Sequence, residues 1–134
     1  ERMLKEEEDF GLRKISTYIK FGKKIENLKQ KVIKNIKKMR SDNKILIGYG
    51  APAKATTSLN YFNINKEIDF IIEDNKLKHG KYVPGVKIPI IPKEKCKIVN
   101  PTVIVLAWNF YETIKKNNSK LSNNIISIKN LEKN

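Results

Sequence analysis

Residues 45–62 read ILIGYGAPAKATTSLNYF. An apolar run stops at Gly48, Tyr49 and Gly50, Pro52 follows, and Lys54 stands where a helix should be starting. Strand, glycine turn and helix in this order open a βαβ unit, so this stretch decides the fold. Gly48 through Ala53 fits G-x-G-x-x-A: a glycine for the tight turn, a glycine that lets a ligand approach the backbone, and a small residue where helix and strand pack. Packing alone selects the same small residues, so the turn by itself leaves a nucleotide site and a bare structural turn both open.

Four further runs extend the pattern: IDFII at 68–72, a shorter KIPII at 87–91, VIVLAW at 103–108 and IISI at 125–128. With KILIGY at 44–49 they are rich in Ile and Val and barely alternate, as strands covered on both faces do. Helical segments fit at 51–62 and at FYETIKKN, residues 110–117. The order predicts right-handed crossovers and a mainly parallel sheet of about five strands, an α/β Rossmann-like three-layer sandwich. Ahead of it, Ile25, Leu28, Val32, Ile36 and Met39 recur at helical spacing and predict a long helix over 22–40, broken by SDNK at 41–44. Residues 1–21 read as a linker or docking arm, with Tyr18 and Phe21 three apart, and 22–134 as the domain.

A chain of 134 residues is one ordinary domain. No apolar run is long enough to span a bilayer, and no leader pattern follows Glu1, so no membrane partner is expected. The single cysteine, Cys96, rules out an internal disulfide or a cysteine-built zinc site within this chain and fits a reducing, cytoplasmic setting. The formal charge of +14 favours anionic partners. Because the lysines are spread along the chain and not interleaved with aromatics, a specific nucleic-acid surface is not expected.

The turn also approaches the phosphate loop G-x-x-x-x-G-K-[ST], but Ala53 replaces the glycine and Ala55 the hydroxyl that would hold magnesium, which argues against a triphosphatase. With Pro52 at the first helical position, Lys54 falls in the first turn, at the positive end of the helix dipole. No acidic residue between 51 and 60 offsets it. An anion bound by the ammonium and the free N–H groups would remove that conflict, and Thr56 and Thr57 could donate to it. A lysine swung into water is the alternative. Glu73 and Asp74 close IDFIIED, where the fingerprint expects a partner for a ribose hydroxyl. The following segment, to residue 91, is a long basic loop with Gly80, Pro84, Gly85 and Pro89. Trp108 and Asn109 end the fourth strand and are expected on the same rim as Gly50 and Asp74, or else as a core aromatic and a helix N-cap. His79 has no partner at a recognisable spacing, so no catalytic role falls to it.

Four segments in order, GLRKISTYIKF, GYGAPAKATTSLNYF, IDFIIEDNKLKHGKYVPGVKIPI and PTVIVLAWNF, together resemble the C-terminal domain of the sugar C-methyltransferase family. The resemblance runs from about Gly11 to Phe110. It implies a parent enzyme that methylates a nucleotide-linked deoxysugar, with zinc in an N-terminal domain and S-adenosylmethionine in a middle one, neither bound here. The substrate would lie between the middle domain and this one. Matching positions are Gly48, Tyr49, Gly50, Ala51, Pro52, Ala53, Lys54, Asp74, Asn75, Lys78, Gly80, Pro84, Gly85, Pro89, Trp108, Asn109 and Phe110. His79 and Lys76 depart from the family's usual Gln and Pro. The resulting expectation is a substrate-binding surface made of Gly48 to Lys54, Thr56, Asp74, Asn75, Lys78, Trp108 and Asn109, with no catalytic or metal-binding residue. It would hold the diphosphate of an anionic sugar nucleotide. A stand-alone NAD- or coenzyme A-type module and a purely structural domain remain as alternatives.

Overall fold

The computed structural model describes residues 1–42 and 44–132. Its centre is strand β1 (Leu46–Tyr49). β1 pairs in parallel with β2 (Ile71–Ile72) on one side and β4 (Thr102–Val105) on the other; β3 (Ile90–Ile91) extends the first edge and β5 (Ile125–Ser127) the second. The order β3-β2-β1-β4-β5, parallel throughout, is the Rossmann-type order, with the chain reversing direction across the sheet between β1 and β4. The pattern of Ile- and Val-rich runs thus translates into the expected sheet, although every strand is shorter than its apolar run. Backbone bonds between strands reach a little past the paired residues, as from Leu106 N–H to Tyr49 O, and the rest of each run packs as loop or, at Trp108 and Ile128, enters a 3-10 turn.

Side chains alternate between two apolar layers. Leu46, Ile71 and Ile104 face the layer built with Val32, Ile36, Ala55, Leu59 and Leu131. Ile47, Tyr49, Ile72, Val103 and Val105 face the other, closed by Tyr111, Ile114 and Leu121. The first layer is roofed by α2 (Ile15–Ser41) and α3 (Ala53–Phe62), and the second by α4 (Tyr111–Asn117). The connection from β2 to β3 carries no α-helix. It folds through a 3-10 turn at Lys76–Lys78 and an antiparallel bridge between Tyr82 and Pro89. Asn60 of α3 pins this loop by donating to Pro84 O at 2.9 Å.

The N-terminal helix departs from its predicted start at 22. α2 begins at Ile15, and a separate helix α1 (Arg2–Phe10) precedes it. Gly22 lies inside α2 with open space around it, so the roughly 1 kcal/mol that glycine costs a helix is outweighed by its continuation on both sides. Gly11, at φ 78°, ends α1 in the left-handed conformation. Thr17 Oγ1 donates to Gly11 O at 2.8 Å and Tyr18 OH to Leu12 O at 2.7 Å, which sets the corner between the helices. The break read at 41–44 holds for α2, which ends at Ser41; position 43 of that stretch lies outside the described residues. Among the described residues no helix is long and apolar enough to cross a membrane.

Gly48 departs from its expected role as a turn glycine. It lies within β1, and a Cβ there would sit 2.8 Å from Ile71 Cγ1 and 3.0 Å from Leu106 Cδ1. Gly48→Ala should therefore overpack the centre of the sheet and lower stability by about 1–3 kcal/mol. Urea unfolding followed by circular dichroism checks this, and a stability equal to that of the parent chain would show that the neighbours yield freely.

Candidate functional site

The crevice beyond the carboxyl ends of β1 and β4 is where open parallel sheets take ligands. It opens here because Gly50, at φ 83°, turns the chain away from β1 while Ala107 passes against it: a Cβ on Gly50 would lie 2.7 Å from Ala107 Cβ. The chain then enters α3 through Pro52, which is the N-cap in an extended conformation (ψ 168°) and not the expected first helical residue. Ala53 and Lys54 are consequently the first two residues of α3. Their N–H groups donate no hydrogen bond to other described residues, as is usual for the open first turn of a helix.

Glu73 is the organising group of the turn. Its Oε2 accepts from Ala51 N–H at 2.7 Å and its Oε1 from Asn75 N–H at 3.0 Å. Lys78 Nζ lies 3.5 Å from Oε2 and donates to Ala51 O at 3.0 Å. His79 Nε2 is 2.6 Å from Glu73 O, so the histidine left without a role in the sequence helps fix this corner. Burial alone would raise the Glu73 pKa, but the N–H groups of Asn75 and Ala51 and the ammonium of Lys78 outweigh it and hold the carboxyl below the ordinary glutamate range. The backbone donor at Ala51, which the glycine motif would turn toward a phosphate, is thus already paired with a carboxylate.

Beside it, Tyr49 OH donates to Asp74 Oδ1 at 2.8 Å. Burial first, and then this bond to a carboxylate, pushes the phenol up to about 12, so Tyr49 is a neutral proton donor at physiological pH. Tyr49, Gly50, Pro52, Glu73, Asp74 and Lys78 form one wall of a cavity of about 530 Å³. Its opposite wall is made of Phe110, which the family resemblance had marked, and of residues not singled out in the sequence: Lys93, Ala107, and Thr113, Ile114, Asn117 and Asn118 around α4. The pair Asn117-Asn118 reads in the sequence as an ordinary helix stop, and nothing in its spacing ties it to β1.

The remaining candidates divide. Asn75 caps the Lys76–Lys78 turn by accepting from Leu77 N–H at 3.0 Å. Thr56 is half-buried in α3 and Gly48 is interior, and neither lines the cavity. Trp108 does not share the Asp74 rim as expected. It faces α3, where Lys54 Nζ stands 4.6 Å and Lys129 Nζ 5.6 Å from its ring centroid. Asn109 is exposed within a 3-10 turn, Trp108–Phe110, and the residue at the N-cap of α4 is Phe110. The structure therefore separates the residues read as one surface into two groups, Tyr49 and Asp74 at the cleft and Lys54 and Trp108, with Lys129, on another face.

Glu73 carries a pH dependence. Because its folded pKa is depressed, its contribution to stability is present above the unfolded value and is lost as pH falls through the folded value. The stability difference between the parent chain and Glu73→Gln should therefore be full at pH 7 and shrink below about pH 4.5. Thermal unfolding from pH 7 to pH 3 reads it, and a difference independent of pH would show that the charge on Glu73 is immaterial to the turn.

Residues 1–127 match the family described as the C-methyltransferase C-terminal domain. One curated relative is the C-methyltransferase NovU of Streptomyces niveus, 32% identical over 124 residues that make up 91% of this chain. The chain spans about 30% of that relative's length. With a parallel sheet in Rossmann order, a crevice at its switch point and a match over nearly all its length, the chain belongs to the family of C-methyltransferase C-terminal domains.

Proposed function

We propose that this chain is the substrate-facing part of an S-adenosylmethionine-dependent C-methyltransferase that acts on a nucleotide-linked sugar. The family match over residues 1–127 carries this reading, and the crevice at the carboxyl ends of β1 and β4 supports it. The methyl donor and the base that removes a proton beside the substrate carbonyl belong to the rest of the parent enzyme. This chain binds and orients. Its place for the diphosphate is the helix end of the turn and not the glycine end, since Glu73 occupies Ala51 N–H. There the N–H groups of Ala53 and Lys54 are open, and the ammonium groups of Lys54 and Lys129 stand by Trp108. A phosphate at this position would neutralise the Lys54 charge that the helix dipole disfavours. The same pairing at Ala51 weighs against a dinucleotide module, whose pyrophosphate needs that donor.

The arm has a matching role. Met3, Leu4, Phe10, Ile15, Tyr18, Ile19 and Phe21 are more than half exposed on α1 and the first turns of α2, although the corner between the helices is held by two side-chain hydrogen bonds. An ordered pair of helices with its apolar side chains uncovered fits docking against the methyl-donor-binding domain of the same enzyme.

Thymidine diphosphate should bind the chain, and Lys54→Ala combined with Lys129→Ala should weaken it at least about tenfold and reduce its salt dependence. Calorimetry at two ionic strengths decides, and no binding at millimolar ligand, or binding unchanged in the double variant, would sink the diphosphate assignment. In the intact enzyme, Ile15→Ser with Phe21→Ser should speed limited proteolysis between domains without lowering the unfolding temperature of the isolated chain. Unchanged proteolysis would remove the arm from the interface.

A further inference from the structure

We infer that α1 of one copy of this chain docks into a lysine-lined groove on α2 of a second copy, and the reverse, so that two copies pair through their arms. This goes beyond the reading above. It assigns α1 to a second copy and leaves Ile15, Tyr18, Ile19 and Phe21, at the start of α2, to the methyl-donor-binding domain.

The groove supplies the first observation. Along α2 lies a cavity of about 470 Å³ in which Ile25 and Leu28 are half-buried and Lys20, Lys23, Lys24 and Lys31 are exposed. Glu132 is its one acidic neighbour, and none of the four lysines has an ion pair among the described residues. An apolar strip bordered by cations selects a helix that brings apolar and acidic side chains on one face.

Helix α1 is such a helix. All of its residues are exposed, and nine residues are too few to hold a helix in water without tertiary contacts. Five of the chain's 14 Asp and Glu stand among its first ten residues, in a chain of formal charge +14. At helical spacing Met3, Leu4, Glu7 and Phe10 share one face, with Glu8 one turn from Leu4. Glu6 is taken by Arg2 at 2.8 Å, whereas Glu7 and Glu8 have no ion pair among the described residues. The lengths also agree: α1 is about 14 Å long, and the groove from Lys20 to Lys31 about 17 Å. Within one copy the two do not meet. Gly11 turns the chain at the corner that Thr17 and Tyr18 hold, and α1 does not pack along its own α2. Reciprocal exchange between two copies satisfies both surfaces and closes on itself about a two-fold axis.

Sedimentation equilibrium of the 134-residue chain reads the pairing. A dimer is expected, with a dissociation constant that rises at least about tenfold from low to high salt. Glu7→Lys with Glu8→Lys in one variant, and Lys20→Glu with Lys24→Glu in another, should each be monomeric where the parent chain pairs. An equimolar mixture of the two should pair again, because opposite charges then face each other at both contacts. Met3→Ser with Phe10→Ser, which leaves the charge alone, should also abolish pairing. All six positions are exposed, so each variant should keep the parent's unfolding temperature. Ile15→Ser with Phe21→Ser should leave the pairing intact, so that this inference and the docking of the preceding domain fail separately. A chain that stays monomeric at every concentration would overturn the inference, as would a mixture of the charge-reversed variants that does not pair. Pairing that survives the changes in α1 but is lost with Ile15 and Phe21 would overturn it too. A monomeric intact enzyme in which the preceding domain shields α1 from proteolysis would hand α1 to that domain and end the proposal.

Discussion

Strand β1 is hydrogen-bonded on both edges and has no room for a side chain at Gly48, nor has the turn that follows it at Gly50. Everything in the domain depends on that constraint. At Gly48 the missing Cβ lets Ile71 and Leu106 meet across the strand, and at Gly50 it lets Ala107 pass against the turn. β2 and β4 close on β1, Gly50 N–H donates to Ile72 O at 2.8 Å, and Leu106 N–H donates to Tyr49 O at 2.9 Å. The crevice then lies where the connections on either side of β1 diverge. A side chain at Gly48 would wedge the sheet apart, and one at Gly50 would push Ala107 away from the turn that borders the cleft.

The turn that follows is stabilised by an internal carboxylate and not by a ligand. Glu73 takes the role that an anion has at a glycine-rich turn, accepting from Ala51 N–H and drawing Lys78 onto the same segment. The turn is thereby held by the chain's own side chains. At the start of α3 the cationic groups of Lys54 and Lys129 share one indole, while on the other side of the turn Tyr49 OH donates to Asp74.

The helical arm shows the same division between what local sequence encodes and what assembly requires. Its corner is specified by short-range chemistry, with Gly11 in a left-handed conformation and Thr17 and Tyr18 reaching back over the turn. The buried stripe of α2 is short, with Val32 and Ile36 interior, while Ile15, Tyr18 and Ile19 continue toward the N-terminus without a covering layer.

Read alone, the sequence determined the α/β class, the mainly parallel sheet, the helix behind the glycine turn and the segments that line the crevice on the β1 and β2 side. Each of these is written in local periodicity or in small residues at short spacing, and local signals survive without knowledge of the fold. Only the tertiary structure decided the rest. The start of α2 escaped the pattern because Gly22 marks an exposed position within a helix and not a boundary. Trp108 and Asp74 separated because the backbone turns between Leu106 and Trp108, so residues next to one another along a strand end fall on opposite sides of the sheet. Glu73 became the clamp of the turn, and Asn117 and Asn118 the far wall of the cleft, through contacts between segments 22 and about 70 residues from Ala51 and Tyr49 along the chain. Such pairings are set by strand order and crossover direction, physical quantities that no window of sequence contains.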